Sequence, residues 1–228
     1  MDYVISPPPQ VSVPVVGLDA RFPVHRVYCV GRNYADHVAE MGGDPRSEPP
    51  VFFSKPASAL VTDGEAVRYP QATSDLHHEV ELVVALASGG RDLTLAEAAA
   101  CVYGYGVGID FTRRDLQSIA KKHGRPWDTA KGFDQSAPLS ALTPKANFAP
   151  STDKPICLTV NDELRQSALL GQMIWSVAEI IEQLSRLFEL KAGDIIYTGT
   201  PAGVAAVVKG DKLCGEIAGL NALNFDII

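Results

Sequence analysis

The chain has 228 residues, of which 46% are hydrophobic and 21% charged, and its formal net charge is −7. Such a length and composition are typical of a globular protein, whereas no apolar run approaches the roughly 20 residues that span a membrane, and the acidic balance without a basic cluster excludes nucleic acid as an expected partner. Four cysteines dispersed along the chain and an N-terminus without a signal region predict a cytoplasmic protein.

The proline-rich first 25 residues are predicted to form an extended N-terminal arm, and residues 26–228 a single domain. That domain begins with a short strand over residues 26–30. A short helix over residues 33–41 follows and ends at a pair of glycines. The next strand is predicted over residues 51–54.

The rest of the chain is predicted to form short strands with three helices between them. The helices are expected over residues 93–101, 112–123 and 176–189, and the strands over residues 79–87, 103–110, 156–160, 163–167, 194–198, 212–217 and 220–225. Because the strands are many and do not alternate regularly with helices, the pattern favours a β-rich α+β fold over a doubly wound parallel sheet.

Two glutamates on the strand over residues 79–87 carry the strongest chemical signal. Side chains alternate faces along a strand, so Glu79 and Glu81 share a face with the apolar Val83 and Ala85. Two carboxylates at the edge of a core need a cation or protons to compensate them, and hard oxygen ligands suit Mg²⁺, Mn²⁺ or Ca²⁺. The alternative is an edge strand with one wet face that turns inward after Glu81.

Asp110 ends the strand over residues 103–110 and is the natural third ligand. Gly106 and Gly108 share its face, which indicates that a ligand or another backbone comes close there. Three carboxylates from two strands would leave positions open for water and substrate. The alternative is an aspartate that caps the helix beginning near Thr112.

His37 and Glu40 are three residues apart on the short predicted helix. A carboxylate beside an imidazole raises its basicity and fixes its orientation, as a general base requires. The glycines around this helix would let the segment move as a hinged lid. A surface pair of histidine and glutamate is also common.

Three further positions could contact an anionic substrate. Arg114 and Gln117 share one face of a helix that begins one turn after Asp110, although a solvated amphipathic helix fits them equally well. Lys131 lies among apolar neighbours, where it could meet an oxyanion or be solvated. Thr200 belongs to a loop that offers hydroxyls and backbone N–H groups for an anion.

Six segments in this order resemble the fumarylacetoacetate hydrolase family, over nearly the whole chain from about Val27. The segments are Gly31-Arg32-Asn33-Tyr34 with His37, Phe53-Ser54-Lys55-Pro56, His78-Glu79-Val80-Glu81-Leu82, Gly108-Ile109-Asp110, residues 127–131, and Gly199-Thr200-Pro201. Each motif alone is modest, but the ordered set is specific. The short chain resembles the single-domain acylpyruvase members, and among them the fumarylpyruvate hydrolases of aromatic catabolism in bacteria.

The resemblance implies a mixed β-sandwich roll, a homodimer, and Mg²⁺ or Mn²⁺ as cofactor, with Ca²⁺ as a substitute. It also implies a small anionic keto acid as substrate. Carried over by motif, the site has three groups of residues: the metal ligands Glu79, Glu81 and Asp110; the catalytic His37, Glu40 and Lys131; and the substrate contacts Arg114, Gln117 and Thr200.

The activity that the resemblance implies is hydrolysis of the carbon–carbon bond of a 3-acylpyruvate, with fumarylpyruvate giving fumarate and pyruvate. In it, His37 would activate water and Lys131 would stabilise an enolate. Oxaloacetate decarboxylation and the isomerisation or decarboxylation of a dioate are alternatives within the family. A non-catalytic binder of dicarboxylates is the alternative from another class.

Overall fold

The computed structural model of the protein describes residues 2–34, 49–62 and 64–228. Within these residues the fold is α+β and β-rich, as the sequence predicts, with four α-helices among many short strands. The helices are α1 Leu95–Cys101, α2 Arg114–Lys122, α3 Asp128–Lys131 and α4 Val177–Leu187. None of the helices in this part of the chain is both long and apolar enough to cross a membrane.

The strands are numbered in chain order. They are β1 Ser12–Val15, β2 Leu18–Pro23, β3 Val27–Gly31, β4 Val51–Lys55, β5 Leu60–Val61, β6 Leu76–His77, β7 Val80–Leu86, β8 Val102–Ile109, β9 Thr112–Arg113, β10 Ala137–Pro138, β11 Thr143–Pro144, β12 Pro155–Val160, β13 Glu163–Leu169, β14 Ile195–Tyr197, β15 Ala206–Val207, β16 Lys212–Ile217 and β17 Leu223–Asp226.

A six-stranded sheet in the order β11-β8-β7-β14-β3-β4 forms the centre of the fold. The pair β14 and β3 is parallel, and the other neighbouring pairs are antiparallel. Strand β7 is buried along its whole length, because both of its faces are covered. Leu82 and Val84 pack into one core, whereas Val83 and Ala85 pack into the other.

A second sheet, in the order β13-β12-β16-β17, closes the first core and makes the fold a mixed β-sandwich. Burial alternates along β12, where Ile156, Leu158 and Val160 are inside, as expected for a strand with one solvated face. The predicted strands over residues 156–160 and 163–167 form a hairpin, which turns at Asn161 and Asp162 with φ values of 52° and 64°.

Helices α1 and α4 begin with capping boxes, close to the starts predicted at residues 93 and 176. Thr94 and Glu97 cap α1, and Ser176 and Glu179 cap α4. The predicted start of α2 at Thr112 is wrong by two residues. Thr112 and Arg113 form β9 instead, because their backbone pairs with β6 before the helix begins.

The N-terminal segment, for which the sequence predicts an extended arm, contains the hairpin of β1 and β2. Gly17 lies in the turn between the two strands and takes a φ of 78°, a value that favours glycine. Val13, Val15 and Phe22 project from the hairpin into the second core. From Ser12 onward, therefore, this segment packs on the central sheet.

Gly108 leaves space for the ring of Tyr197 rather than for a ligand or a backbone. A Cβ atom at this position would lie 2.5 Å from Tyr197 Cε1 and 2.6 Å from Val83 Cγ2. The Tyr197 hydroxyl lies 3.1 Å from the carbonyl oxygens of both Ala137 and Pro138, between which its one hydrogen is shared, so the hydroxyl end of the ring is held in place. Because residue 108 is a glycine, β8 can pack closely against Tyr197 of β14 near the end of β8.

We expect Gly108→Ala to lower the free energy of unfolding by about 1–3 kcal/mol, because the added methyl group overpacks a filled core. Gly31→Ala is the matched control, since the nearest atom to its new Cβ is 3.7 Å away, an ordinary contact. Urea unfolding of both variants measures the difference. Equal midpoints for the two variants would contradict this account of Gly108.

Candidate metal centre

Three buried carboxylates meet at the end of the central sheet. Glu79, Glu81 and Asp110 each contribute one oxygen to a cluster whose members all lie within 4.8 Å of one another. Glu81 belongs to β7, which lies between β8 and β14, and it is 1% exposed. The alternative of an edge strand with a wet face is therefore wrong.

The pairing of β7 with β8 brings the three side chains together. Glu81 is opposite Gly108 in the antiparallel register, and the N–H of Asp110 donates to the carbonyl oxygen of Glu79 at 2.8 Å. Asp110 therefore lies across the strand pair from the two glutamates. The side chain of Asp110 takes no part in capping α2, whose N-cap residue is Arg113, so the capping alternative is wrong.

Three cations surround two of the carboxylates. Lys131 Nζ donates to Glu79 Oε2 at 2.8 Å and to Asp110 Oδ2 at 2.7 Å, and Arg114 donates to the other oxygen of Glu79. Lys131 is 3% exposed at the end of α3, so the alternative of a solvated lysine is wrong. Lys55 Nζ forms an ion pair with Asp110 Oδ1 at 2.8 Å.

Lys55 is a component of the centre to which the sequence analysis gave no role. Its ammonium also donates to the carbonyl oxygen of Phe111 at 3.1 Å and to that of Lys131. It thereby joins β4 to α3 beneath Asp110. Its position at the end of the apolar strand β4 could have indicated this role, because a lysine is costly to bury there without a partner of opposite charge.

Glu81 differs from the other two carboxylates because, among the described residues, it has no ion-pair partner. Its Oε2 accepts a hydrogen bond from the N–H of Gly199 at 2.7 Å. Burial and the nearby charges of Asp110 and Glu79 raise the pKa of Glu81 well above its usual range. The centre therefore holds more negative charge around Glu81 than its neighbours compensate.

The pKa values of Glu79 and Lys131 shift in the directions that keep both ionised. Burial opposes ionisation of Glu79, but the charges of Lys131 and Arg114 outweigh it and lower its pKa. Burial likewise opposes the charged form of Lys131, and Asp110 and Glu79 outweigh it and raise its pKa. Lys131 is therefore a cation at neutral pH and cannot act as a base.

The turn after β14 presents Gly199 to Glu81. Gly199 takes a φ of 101°, and a Cβ there would lie 2.6 Å from Asn33 Cβ. The side chain of Asn33 donates to the carbonyl oxygen of Thr198 at 2.7 Å and holds this turn. Only glycine fits a position with both this backbone conformation and so close a neighbour.

The predicted substrate contacts Arg114, Gln117 and Thr200 line the same cavity as Glu79 and Glu81. Arg114 Nη1 donates to Gln117 Oε1 at 2.6 Å, which confirms that the two share one face of α2. Gln117 and Thr200 are 4% exposed, so neither is a solvated surface residue. Arg32 and Lys121 add further positive charge to this cavity.

The predicted catalytic pair His37 and Glu40 lies outside the described residues, together with most of the helix predicted over residues 33–41. The described chain reaches Tyr34, which bridges to Met173, and resumes at residue 49. The roles of these two side chains remain predictions from the sequence.

The donor set of this centre fits a divalent ion. Three carboxylate oxygens converge, as Mg²⁺ and Mn²⁺ require. Within the described chain, Asp110 Oδ1 is buried and makes no hydrogen bond, although Lys55 lies close as an ion-pair partner. A buried oxygen without a donor and a carboxyl group without a cation are the features that a bound metal would satisfy.

Comparison with known proteins places the chain in context. The family model described as fumarylacetoacetate (FAA) hydrolase C-terminal matches residues 26–228. The crystal structure of fumarylpyruvate hydrolase from Pseudomonas aeruginosa, in complex with Mn²⁺ and pyruvate, superposes with a TM-score of 0.96 at 46% identity, covering 100% of this chain and 99% of that one.

Two curated relatives are oxaloacetate tautomerases. The mitochondrial enzyme FAHD1 of Homo sapiens is 43% identical over 203 residues, which are 88% of this chain and 90% of that protein. YcgM of Escherichia coli is 42% identical over 193 residues, which are 84% of this chain and 88% of that protein. The chain is thus similar to enzymes of two activities.

The variants Glu81→Gln and Glu79→Gln distinguish the effect on stability of removing a carboxyl group without an ion-pair partner from that of breaking an ion pair. In EDTA, we expect Glu81→Gln to be at least as stable as the wild type, because the amide oxygen still accepts from Gly199 and the amide cannot take up the charge that burial and the two neighbouring carboxylates disfavour. Glu79→Gln should lose about 3 kcal/mol, since it leaves the buried Lys131 with one partner fewer. Calorimetric unfolding measures both.

The same two variants test metal binding. The wild type should gain roughly 3 kcal/mol, or about 5–10 °C in Tm, at a hundredfold excess of Mn²⁺ over its Kd. Neither variant should show this gain, because each loses a ligand. A Glu81→Gln protein that Mn²⁺ stabilises as much as the wild type would remove Glu81 from the ligand set.

Proposed function

This chain belongs to the fumarylacetoacetate hydrolase family, and from that premise we propose that it is a metal-dependent hydrolase of 3-acylpyruvates, with fumarylpyruvate as its substrate and fumarate and pyruvate as products. The observation that carries the proposal is the likeness, over the whole chain, to a fumarylpyruvate hydrolase crystallised with Mn²⁺ and pyruvate. That match covers 100% of this chain, whereas the two curated tautomerases cover 84% and 88% of it.

The proposed ligands are Glu79, Glu81 and Asp110, with Mg²⁺ or Mn²⁺ as the ion. A bound divalent ion would supply Lewis acidity to the keto-acid end of the substrate and positive charge where the enolate of pyruvate develops. Arg114, Gln117 and Thr200 are proposed to bind the same end, because they line the cavity beside the three carboxylates.

Hydrolysis adds the hydroxyl group of water to the distal carbonyl carbon and breaks the bond from that carbon to the methylene carbon of pyruvate. We assign the removal of a proton from water to His37, oriented by Glu40. The electron pair of the broken bond passes into pyruvate as its enolate. A proton on the methylene carbon then completes pyruvate, and the acyl group leaves as fumarate.

Lys131 is proposed to stabilise the enolate. An ammonium group carries three hydrogens, and Lys131 donates two of them to Glu79 and Asp110. Among the described residues its third hydrogen has no acceptor, whereas the neighbouring Lys55 contacts three oxygens. Lys131 can therefore donate to a substrate oxygen without giving up its two carboxylates.

A second cavity beside the centre offers space for the acyl group. It shares Phe53, Trp127 and Lys131 with the cavity of the carboxylates, and Arg125 contributes a further cation to its wall. The rings of Phe53 and Trp127 meet edge to face with centroids 5.9 Å apart. The cavity thus has apolar rings and two cations, Arg125 and Lys131, against one acidic side chain, Asp128, a lining that suits an unsaturated acyl chain ending in a carboxylate.

Oxaloacetate tautomerisation is the second candidate function, favoured by the relatives at 42–43% identity. Interconverting keto and enol forms also needs a stabilised enolate, and the same carboxylates and Lys131 would serve it. It requires no attacking water and no space for an acyl group. The two functions therefore differ in their need for His37 as a base toward water and for the second cavity.

A substrate panel tests the proposal. We expect the Mn²⁺-loaded protein to cleave fumarylpyruvate with release of pyruvate, to act more slowly on acetylpyruvate, which lacks the distal carboxylate, and to lose both activities in EDTA. Coupled detection of pyruvate measures the cleavage, and ultraviolet absorbance of the enol measures oxaloacetate tautomerisation. Tautomerisation without any cleavage of the acylpyruvates would assign the second function instead.

His37→Ala should lower kcat for fumarylpyruvate roughly 10²–10⁴-fold, the usual contribution of a general base. Glu40→Gln should cause a smaller loss of the same kind, because it removes the orienting charge and leaves the imidazole. Steady-state kinetics with saturating Mn²⁺ give both values. Full turnover by the alanine variant would exclude His37 from this role.

A further inference from the structure

Gln166 is a buried amide on a strand that is otherwise largely exposed. Strand β13 is the outer strand of the four-stranded sheet, yet Gln166 on it is 1% exposed. A buried amide group costs free energy unless both its oxygen and its nitrogen are hydrogen-bonded. The contacts of this side chain therefore show what holds it inside.

All of the hydrogen-bonding capacity of this amide is used. Its Oε1 accepts from the N–H of Val80 at 3.1 Å and lies 2.9 Å from His78 Nδ1. Its Nε2 donates to the carbonyl oxygen of Pro201 and to Thr200 Oγ1, each at 2.9 Å. Gln166 thus connects the residues before Glu81 to the turn that follows β14.

Two backbone groups of opposite polarity fix the orientation of the amide. The N–H of Val80 can only donate, so it must face the amide oxygen. The carbonyl of Pro201 can only accept, so it must face the amide nitrogen. His78, which is fully buried, consequently donates from Nδ1 and completes the second acceptor site of the oxygen.

The same orientation fixes the role of the Thr200 hydroxyl. Because Gln166 donates to Thr200 Oγ1, this oxygen is an acceptor in that contact and its own hydrogen must turn elsewhere. Within the described chain no acceptor for that hydrogen is found, and Thr200 lines the cavity of the three carboxylates. The hydroxyl is left as a hydrogen-bond donor at the wall of the cavity.

We propose that Gln166 is a positioning residue that holds the Thr200 hydroxyl as a donor to an anionic oxygen of the bound keto acid, an assignment that rests on the proposed function. A threonine hydroxyl can otherwise rotate to accept or to donate. Fixing its hydrogen toward the cavity favours an acceptor oxygen at this point, most strongly a charged carboxylate or enolate oxygen, and disfavours an ammonium group, which can only donate.

A double-mutant cycle between Gln166 and Thr200 tests this proposal. We expect Thr200→Val and Gln166→Met each to raise KM for fumarylpyruvate and the Kd of pyruvate, measured calorimetrically with Mn²⁺, roughly ten- to hundredfold, as loss of one hydrogen bond to a charged group predicts. The value of kcat should change less than about twofold. The Kd of the double variant should exceed that of the weaker-binding single variant by no more than about twofold.

Thr200→Ser is the matched control, since it keeps the hydroxyl and should bind pyruvate about as well as the wild type. Gln166→Met is expected to lower Tm, because it leaves the groups of Val80 and Pro201 without partners, and this loss is measured separately. If that variant does not fold, Gln166→Glu at pH 8 replaces it in the cycle, because an ionised carboxylate has the same shape and can donate nothing to Thr200.

Additive effects, with the double variant weakened by the product of the two single changes, would overturn the positioning role. A wild type that binds pyruvate but does not cleave fumarylpyruvate would overturn the proposed function alone, and the cycle would then be decided by the Kd of pyruvate. A wild type that binds no pyruvate in Mn²⁺ would overturn both.

Discussion

The compensation of buried charge is the constraint on which the rest of this structure depends. Three carboxylates converge where β7 begins and β8 ends, and each would be costly inside a protein without partners. The fold meets that cost with Lys131 between Glu79 and Asp110, with Arg114 on Glu79 and with Lys55 below Asp110. These cations come from β4, α2 and α3, so the contacts that stabilise the centre also fix how these elements pack around the sheet.

The same balance explains the proposed chemistry. The three carboxylates and the three cations cancel formally, so a divalent ion would leave the centre with two positive charges. The enolate of pyruvate, with its carboxylate, carries two negative charges, and the charge of the centre is therefore matched to the species formed when the carbon–carbon bond breaks. Electrostatic catalysis by preorganised charges requires a rigid site that excludes water. The burial of Glu81, Asp110 and Lys131 provides such a site.

The sequence was sufficient where local rules decide the outcome. Capping boxes located α1 and α4, and strand alternation placed Glu79 and Glu81 at the edge of a core. It was insufficient where distant contacts decide. The residues next to Gly108 in the sequence do not predict that the ring of Tyr197 packs against it. Thr112 belongs to β9 and not to a helix because its backbone pairs with β6. Lys55 and Gln166 are buried because they have partners on other elements. The hydrophobic periodicity of the sequence does not predict such partners. The resemblance to a family supplied the roles that the pattern left open.

Hydrolysis and tautomerisation share the enolate, so the carboxylate centre alone does not choose between them. The centre stabilises the same charge in both reactions, and its residues would be under the same demands in an enzyme of either kind. The choice must come from groups that only one reaction needs: a base that activates water, and space for the group that leaves. In this chain we propose the pair His37 and Glu40 for the first, and for the second the cavity that Phe53 and Trp127 share with the centre. An enzyme of this family could therefore change its main reaction by altering these surroundings while the metal ligands stay the same.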